Sequence, residues 1–208
     1  MNNITYRLTH LFIAWGTVGL IYETSSLLQN EATILHPSIV DQLIVFSPHA
    51  IWPYLSFFII IPLSFLYAPL SNIRWMSLSF ILASFIAGLI YITFPTTMNP
   101  QIDYGTSISS QLLSQLISID TSNNCLPSLH VALTIIVVWG YIQKKHPIKS
   151  LLFIIWGIVI CFSILQLARH LFIDLITGAI LAIIVSLFIQ YLQNKIAASI
   201  SITKNKEI

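Results

Sequence analysis

Charge is scarce in this chain. Aspartate, glutamate, lysine and arginine make up 8% of its 208 residues, against roughly 25% in an ordinary soluble domain. So few charges cannot coat a water-soluble surface, and with 56% of residues hydrophobic the chain reads as an integral membrane protein. Cysteine is almost absent, and the two present, Cys125 and Cys161, have neither disulfide-framework nor zinc spacing; they read as free thiols. Net charge is only +2, with no basic stripe and no cluster of aromatics with arginine, which sets nucleic acid aside as a partner. The long apolar segments lack the alternation of outer-membrane barrel strands, so the spans are expected to be helices whose backbone groups are satisfied internally. A small-residue cleavage site is also missing after Arg7, where the apolar stretch runs on through Tyr22 and Glu23; it reads as a retained signal anchor.

What is present is a series of six helix-length apolar segments, near 8–28, 50–68, 76–94, 128–143, 150–168 and 170–192. With neither internal repeat nor low-complexity linker, the expected fold is all-α, a six-span transmembrane helical bundle forming one domain over residues 1–208. Arg7, Arg74, Lys144, Lys145, Lys149, Lys195, Lys204 and Lys206 all fall between or beyond spans on one side. By the positive-inside rule that side is cytoplasmic, with both termini inside and the segments 29–49, 95–127 and 168–171 outside. Glu31, Asp41, Asp103 and Asp120 lie in these outer segments, and Arg169 alone among the cations joins them.

Other features are weaker. The outer stretch TSISSQLLSQLISI at 106–119 has near-helical apolar spacing and reads equally as an interfacial helix or as a loop helix packed on the bundle. Tyr22, Trp52, Tyr54, Trp75, Tyr104 and Trp139 read as interface belt or packing. Gly178 and Ala179 in the last span are expected to let helices approach closely.

The chemistry gathers at two places. CLPSLHVALTII, residues 125–136, sets a prolyl turn and a histidine against an aliphatic run. The helix is expected to start at Pro127-Ser128, where proline is tolerated and serine satisfies orphan N–H groups, so His130 falls in its first turn. One span in and one span back, ARHLFID at 168–174 returns the chain to the same outer depth. His170 and Asp174 are four apart, which on a helix stacks them on one face. A carboxylate on one imidazole nitrogen fixes the tautomer and raises the basicity of the other, making His170 the better nucleophile. His130 has no carboxylate at helical spacing and suits general acid and base work. Arg169, adjacent to His170, would be turned roughly 100° from it on a regular helix, and its fork suits a phosphate oxygen pair.

PSLH at 127–130 followed by H-x3-D at 170–174 resembles the second and third signature motifs of the type 2 phosphatidic acid phosphatase superfamily. The phrase HPSIVDQLIVFSPHAIWPYLSFF at 36–58 and the spelling PSLH resemble the branch related to inositolphosphorylceramide synthases. The resemblance implies that His170 is the phosphorylated nucleophile, that Asp174 orients it and that His130 protonates the leaving alcohol. With the cation pattern above, the active site is expected at the extracytoplasmic ends of spans 3 to 6. The first motif, K-x6-R-P, is eroded: Ile92 and Asn99 stand in place of Lys and Arg, and Ile164 stands where the third motif has Arg. Arg169, Ser128 and Asn99 are the candidate phosphate-binding residues, with Thr96 and Thr97 as further neutral donors beside Asn99.

The expected activity is that of a lipid phosphatase in the cell membrane (the inner membrane of a bacterium), with no metal, no other cofactor and a lipid phosphate or phospholipid as substrate. The alternatives are a phosphotransferase that passes a phospho-headgroup to an acceptor alcohol and, from another class, a non-catalytic membrane binding or transport protein on the same fold. The charge pattern makes the topology testable. In a background lacking native cysteines, cysteine at Asp103 or Asn123 should react with an impermeant thiol reagent from outside intact cells, and cysteine at Lys145 should not. Outside labelling at Lys145 would reverse the orientation.

Overall fold

A computed structural model of the protein describes residues 2–99, 101, 103–119 and 123–206, with side chains through residue 200. Pro100 and Asp120, and the side chains of Lys204 and Lys206, fall outside this set. The chain is mostly helical: α1 (Asn3–Leu27), α2 (Ile39–Leu43), α3 (Ile51–Leu55), α4 (Phe57–Tyr67), α5 (Leu70–Thr93), α6 (Ile108–Ile119), α7 (Leu129–Tyr141), α8 (Pro147–Gln166) and α9 (Phe172–Lys206). A 3-10 turn, Pro48–Ala50, leads into α3, and Ser56 joins α3 to α4.

Among the described residues, four helices are long and apolar enough to cross a membrane: Pro48–Tyr67, Leu70–Thr93, Pro147–Gln166 and Phe172–Ile200. The other two expected spans correspond to α1, 25 residues long but interrupted by Arg7, His10 and Glu23, and α7, with 13 residues. At 1.5 Å per residue α7 is about 20 Å long, short of a hydrocarbon core of about 30 Å. Nine of its 13 residues are buried, and it packs against α4, α5, α8 and α9.

The core runs along α5, whose Ile73, Met76, Phe80, Ala83, Ala87 and Tyr91 recur at helical spacing and are all fully buried. Small residues set the helix separations. A methyl group at Gly88 would strike the side chain of Ile21, so α1 lies close along α5 there. On α9 the inward stripe is Asp174, Gly178, Ala182, Val185 and Ile189, while Ile173, Ile176, Ile180, Ile184 and Leu187 form an exposed apolar face suited to lipid.

Two short strands that the sequence did not announce, β1 (Thr33–Ile34) and β2 (Thr96–Thr97), pair in parallel and tie the segment after α1 to the segment after α5. The α6 segment packs on the bundle: Ser109 Oγ lies 3.1 Å from His49 Nδ1 and accepts the Trp52 indole N–H at 3.1 Å, while Leu113 is fully buried. Arg7 has a structural part beyond topology, since its guanidinium donates to the carbonyls of Phe65 and Ala68, each at 2.8 Å, at the otherwise unsatisfied C-terminus of α4.

Candidate functional site

The loop before α7 is held from four sides. Asn124, in the left-handed region at φ 63°, donates from its side chain to the carbonyl of Tyr22 on α1. The Leu126 N–H donates to Thr96 Oγ1 in β2 (3.0 Å), and the Tyr91 hydroxyl of α5 donates to the Pro127 carbonyl (2.5 Å). The Ser128 N–H donates to the backbone carbonyl of Asp174 on α9 (3.1 Å). Ser128 is the N-cap of α7, its hydroxyl accepting the Val131 N–H at 3.4 Å, and His130 therefore stands in the first turn.

The second arm is built by a helix ending. After α8 the Ala168 N–H donates to the Leu165 carbonyl and the Arg169 N–H to the Ile164 carbonyl, the bond pair of a Schellman motif, with Ala168 in the left-handed position at φ 49°. Glycine is the usual residue there because a Cβ costs about 1–2 kcal/mol in this conformation. The reversal carries the chain through His170 into α9.

Here the structure corrects the sequence reasoning. His170 and Asp174 do meet, with His170 Nδ1 3.3 Å from Asp174 Oδ2, but not on consecutive turns of one helix. His170 precedes α9, and Asp174 is the third residue within it. The carboxylate reaches back over the helix start, accepting the Leu171 N–H at 2.9 Å, as the acidic member of a capping box does. Since Arg169 and His170 are not helical, the 100° separation expected between them does not apply. Asp174 is fully buried and His170 nearly so. A second carboxylate, Asp41 in α2, accepts the Phe172 N–H at 2.7 Å, so the positive end of α9 faces two acids. Nothing in the sequence marked Asp41 for this contact across the fold.

The two arms converge. The imidazoles of His130 and His170 lie edge to face with centroids 6.1 Å apart. His130 Nε2 is 3.1 Å from the hydroxyl of Tyr54, a residue the sequence reading assigned to belt or packing, and Phe57 packs on the same imidazole with centroids 4.8 Å apart. The only advance signal for Tyr54 was its position within the HPSIVDQLIVFSPHAIWPYLSFF phrase. Of the candidate phosphate-binding residues, Arg169 is half-buried beside His170, Ser128 is buried in its capping role, and Asn99 is exposed beyond β2. Thr96 is buried, its hydroxyl oxygen already accepting from Leu126. Ile164, at the position of the missing third-motif Arg, is fully buried in the core.

The family model described as PAP2 superfamily matches residues 23–188, which include both arms. The chain belongs to the PAP2 superfamily. Comparison with curated proteins and with solved structures gave no match. Membership suggests phosphatase- or phosphotransferase-type chemistry on phosphoric esters, and the motifs that carry the PAP2 resemblance are those whose side chains converge here.

The convergence depends on close backbone packing, because a Cβ on Gly178 would strike the Ser128 carbonyl oxygen. Gly178→Ala should therefore push α9 from the start of α7, lowering stability by about 1–3 kcal/mol and turnover by at least about tenfold, roughly the cost of losing 1.4 kcal/mol of transition-state stabilisation. Thermal unfolding in detergent and a phosphate-release assay check this. Wild-type values for both would mean that the junction yields without consequence.

Proposed function

We propose that the protein is a membrane lipid phosphatase that works through a phosphohistidine on His170. The observation that carries this reading is the buried His170–Asp174 contact facing a second histidine, His130, across 6.1 Å between ring centroids. With its Nδ1–H held in a hydrogen bond to the Asp174 carboxylate, the Nε2 lone pair of His170 attacks phosphorus, and the bond from phosphorus to the ester oxygen breaks. The departing alkoxide takes a proton delivered from His130. Water then gives a proton back to His130, its oxygen attacks phosphorus and the P–N bond breaks, which regenerates both imidazoles. No step calls for a metal or another cofactor.

The phosphate has few side-chain cations to meet. Arg169 is the proposed partner for two of its oxygens, with Ser128 and Asn99 as the remaining candidates. The first turn of α7 carries no acidic residue, so the positive end of its dipole favours an anion beside His130. The whole is proposed to span the membrane six times as one domain, with both termini cytoplasmic and this end of the bundle outside. The segregation of cations supports it: Arg7, Arg74, Lys144, Lys145 and Lys149 lie at helix ends which connectivity puts opposite the histidines.

A second reading rests on a specific observation. Asn99 is exposed and Ile164 lies in the core, so two positions where the family motifs have arginine contribute no charge. A phosphomonoester near neutrality carries nearly two charges and a diester one. This deficit favours a phosphotransferase acting on a diester, in line with the resemblance to the inositolphosphorylceramide synthase-related branch.

Both readings share the nucleophile. His170→Ala should abolish turnover and any acid-labile phosphoenzyme, and Asp174→Asn should lower turnover by about 10²-fold or more while the helical circular dichroism signal persists. Release of phosphate against transfer to an added lipid alcohol, measured in liposomes, separates the two readings. Activity that survives His170→Ala, or that is lost to chelator and restored by zinc, would replace this mechanism with a metal-dependent one.

A further inference from the structure

Tyr54 is a buried polar group that the mechanism above leaves unused. It lies on the inward face of α3, 2% exposed, with its hydroxyl 3.1 Å from His130 Nε2 and its ring 5.2 Å from the imidazole. Nε2 is the imidazole nitrogen farther from the main chain, the one best able to reach a substrate, and the phenol stands on it. Phe57, one turn further on, packs against the same imidazole, so the pair is fixed by rings as well as by a hydrogen bond. Tyr54 and His130 together line a cavity of approximately 330 Å³ that opens between α1, α4, α6 and α7. His170, Asp174 and Arg169 do not line it. The cavity wall is largely apolar, from Trp15 and Phe58 to Leu133, with Glu23 also at its lining.

In-line displacement sends the leaving oxygen away from the attacking imidazole, hence toward the side of the site remote from His170. The cavity, which His170 does not line, is lined by His130 and by Tyr54, whose hydroxyl stands 3.1 Å from His130 Nε2. We propose that Tyr54 is a catalytic residue that relays the proton: the departing alkoxide takes the phenolic proton while the phenol oxygen takes the proton of His130 Nε2. An O–H bond forms on the alcohol, the phenol is restored and His130 ends neutral. Dephosphorylation runs the same relay backward, from water or an acceptor alcohol through Tyr54 to His130. The cavity is then the seat of the alcohol, and its apolar wall fits an alcohol carrying a hydrocarbon chain. The relay rests on the phosphohistidine reading, since it serves the proton on which that reading depends.

The test uses leaving groups of different acidity. p-Nitrophenolate departs without a proton, whereas an alkyl alkoxide does not, so the phosphorylation half-reaction of the full-length protein in detergent is followed for p-nitrophenyl phosphate and for a long-chain alkyl phosphate. Tyr54→Phe should slow alcohol release from the alkyl ester by about 10²-fold and leave the p-nitrophenol burst within about threefold of wild type. His130→Gln should show the same split. Equal losses on both esters would reduce Tyr54 to a positioning residue for His130, and no loss on either would remove it from the reaction; each overturns the relay. Should Tyr54→Phe fail to fold, 3-fluorotyrosine at position 54 keeps the shape and makes the phenol more acidic. The pH profile of the alkyl half-reaction should then shift while the aryl profile stays put, and an unchanged alkyl profile overturns the relay. A wild-type protein that forms no phosphoenzyme from either ester fails the phosphohistidine reading itself, whatever Tyr54 does.

Discussion

One backbone contact governs the geometry of this protein: the N–H of Ser128 at the start of α7 bonds to the carbonyl of Asp174 in α9, with Gly178 one turn along allowing the approach. It joins two chain segments whose side chains face each other across the site, and it does so with main-chain atoms, which have little freedom to drift. Everything around it reinforces the same register. Tyr91 holds the preceding carbonyl from α5, Thr96 holds the preceding N–H from β2, and Asn124 reaches back to α1. A pair of imidazoles 6.1 Å apart, each near the end of a helix, needs such anchoring because in-line chemistry tolerates little misplacement.

The electrostatics follow from the helix ends. Two helices begin at the site, and they are treated differently. The start of α9 is covered by Asp41 and Asp174, so its dipole stabilises carboxylates and, through Asp174, fixes the His170 imidazole. The start of α7 has serine as its cap and no acid, which leaves its N-terminal field for an external anion beside His130. In a chain that has lost side-chain cations at two motif arginine positions, this asymmetry helps reconcile phosphate chemistry with so few charges.

Much of this could be read from residue order. Apolar run lengths gave the long helices, the positions of lysine and arginine gave the end of the bundle remote from the histidines, and Pro127-Ser128 gave the start of α7. The His170–Asp174 contact was expected from a four-residue spacing, yet it arises from a carboxylate that folds back over a helix start; spacing alone cannot tell the two apart, because both bring the groups together. What sequence could not supply were contacts between residues far apart in the chain. Asp41 on Phe172, Tyr54 on His130 and the β1–β2 pairing span separations that no local periodicity encodes. The apolarity of α7 suggested a spanning helix, and the structure shows 13 residues packed among four neighbouring helices.

The central claim is that phosphorus passes through a covalent bond to an imidazole rather than going directly from ester to acceptor. Each in-line displacement inverts the configuration at phosphorus, so two displacements restore it. A phosphate monoester made chiral with three oxygen isotopes, transferred by the protein to an acceptor alcohol, reports the number of displacements without reference to any particular variant. The account predicts net retention of configuration in the product. Net inversion would mean a single direct displacement, and it would contradict the phosphohistidine on His170.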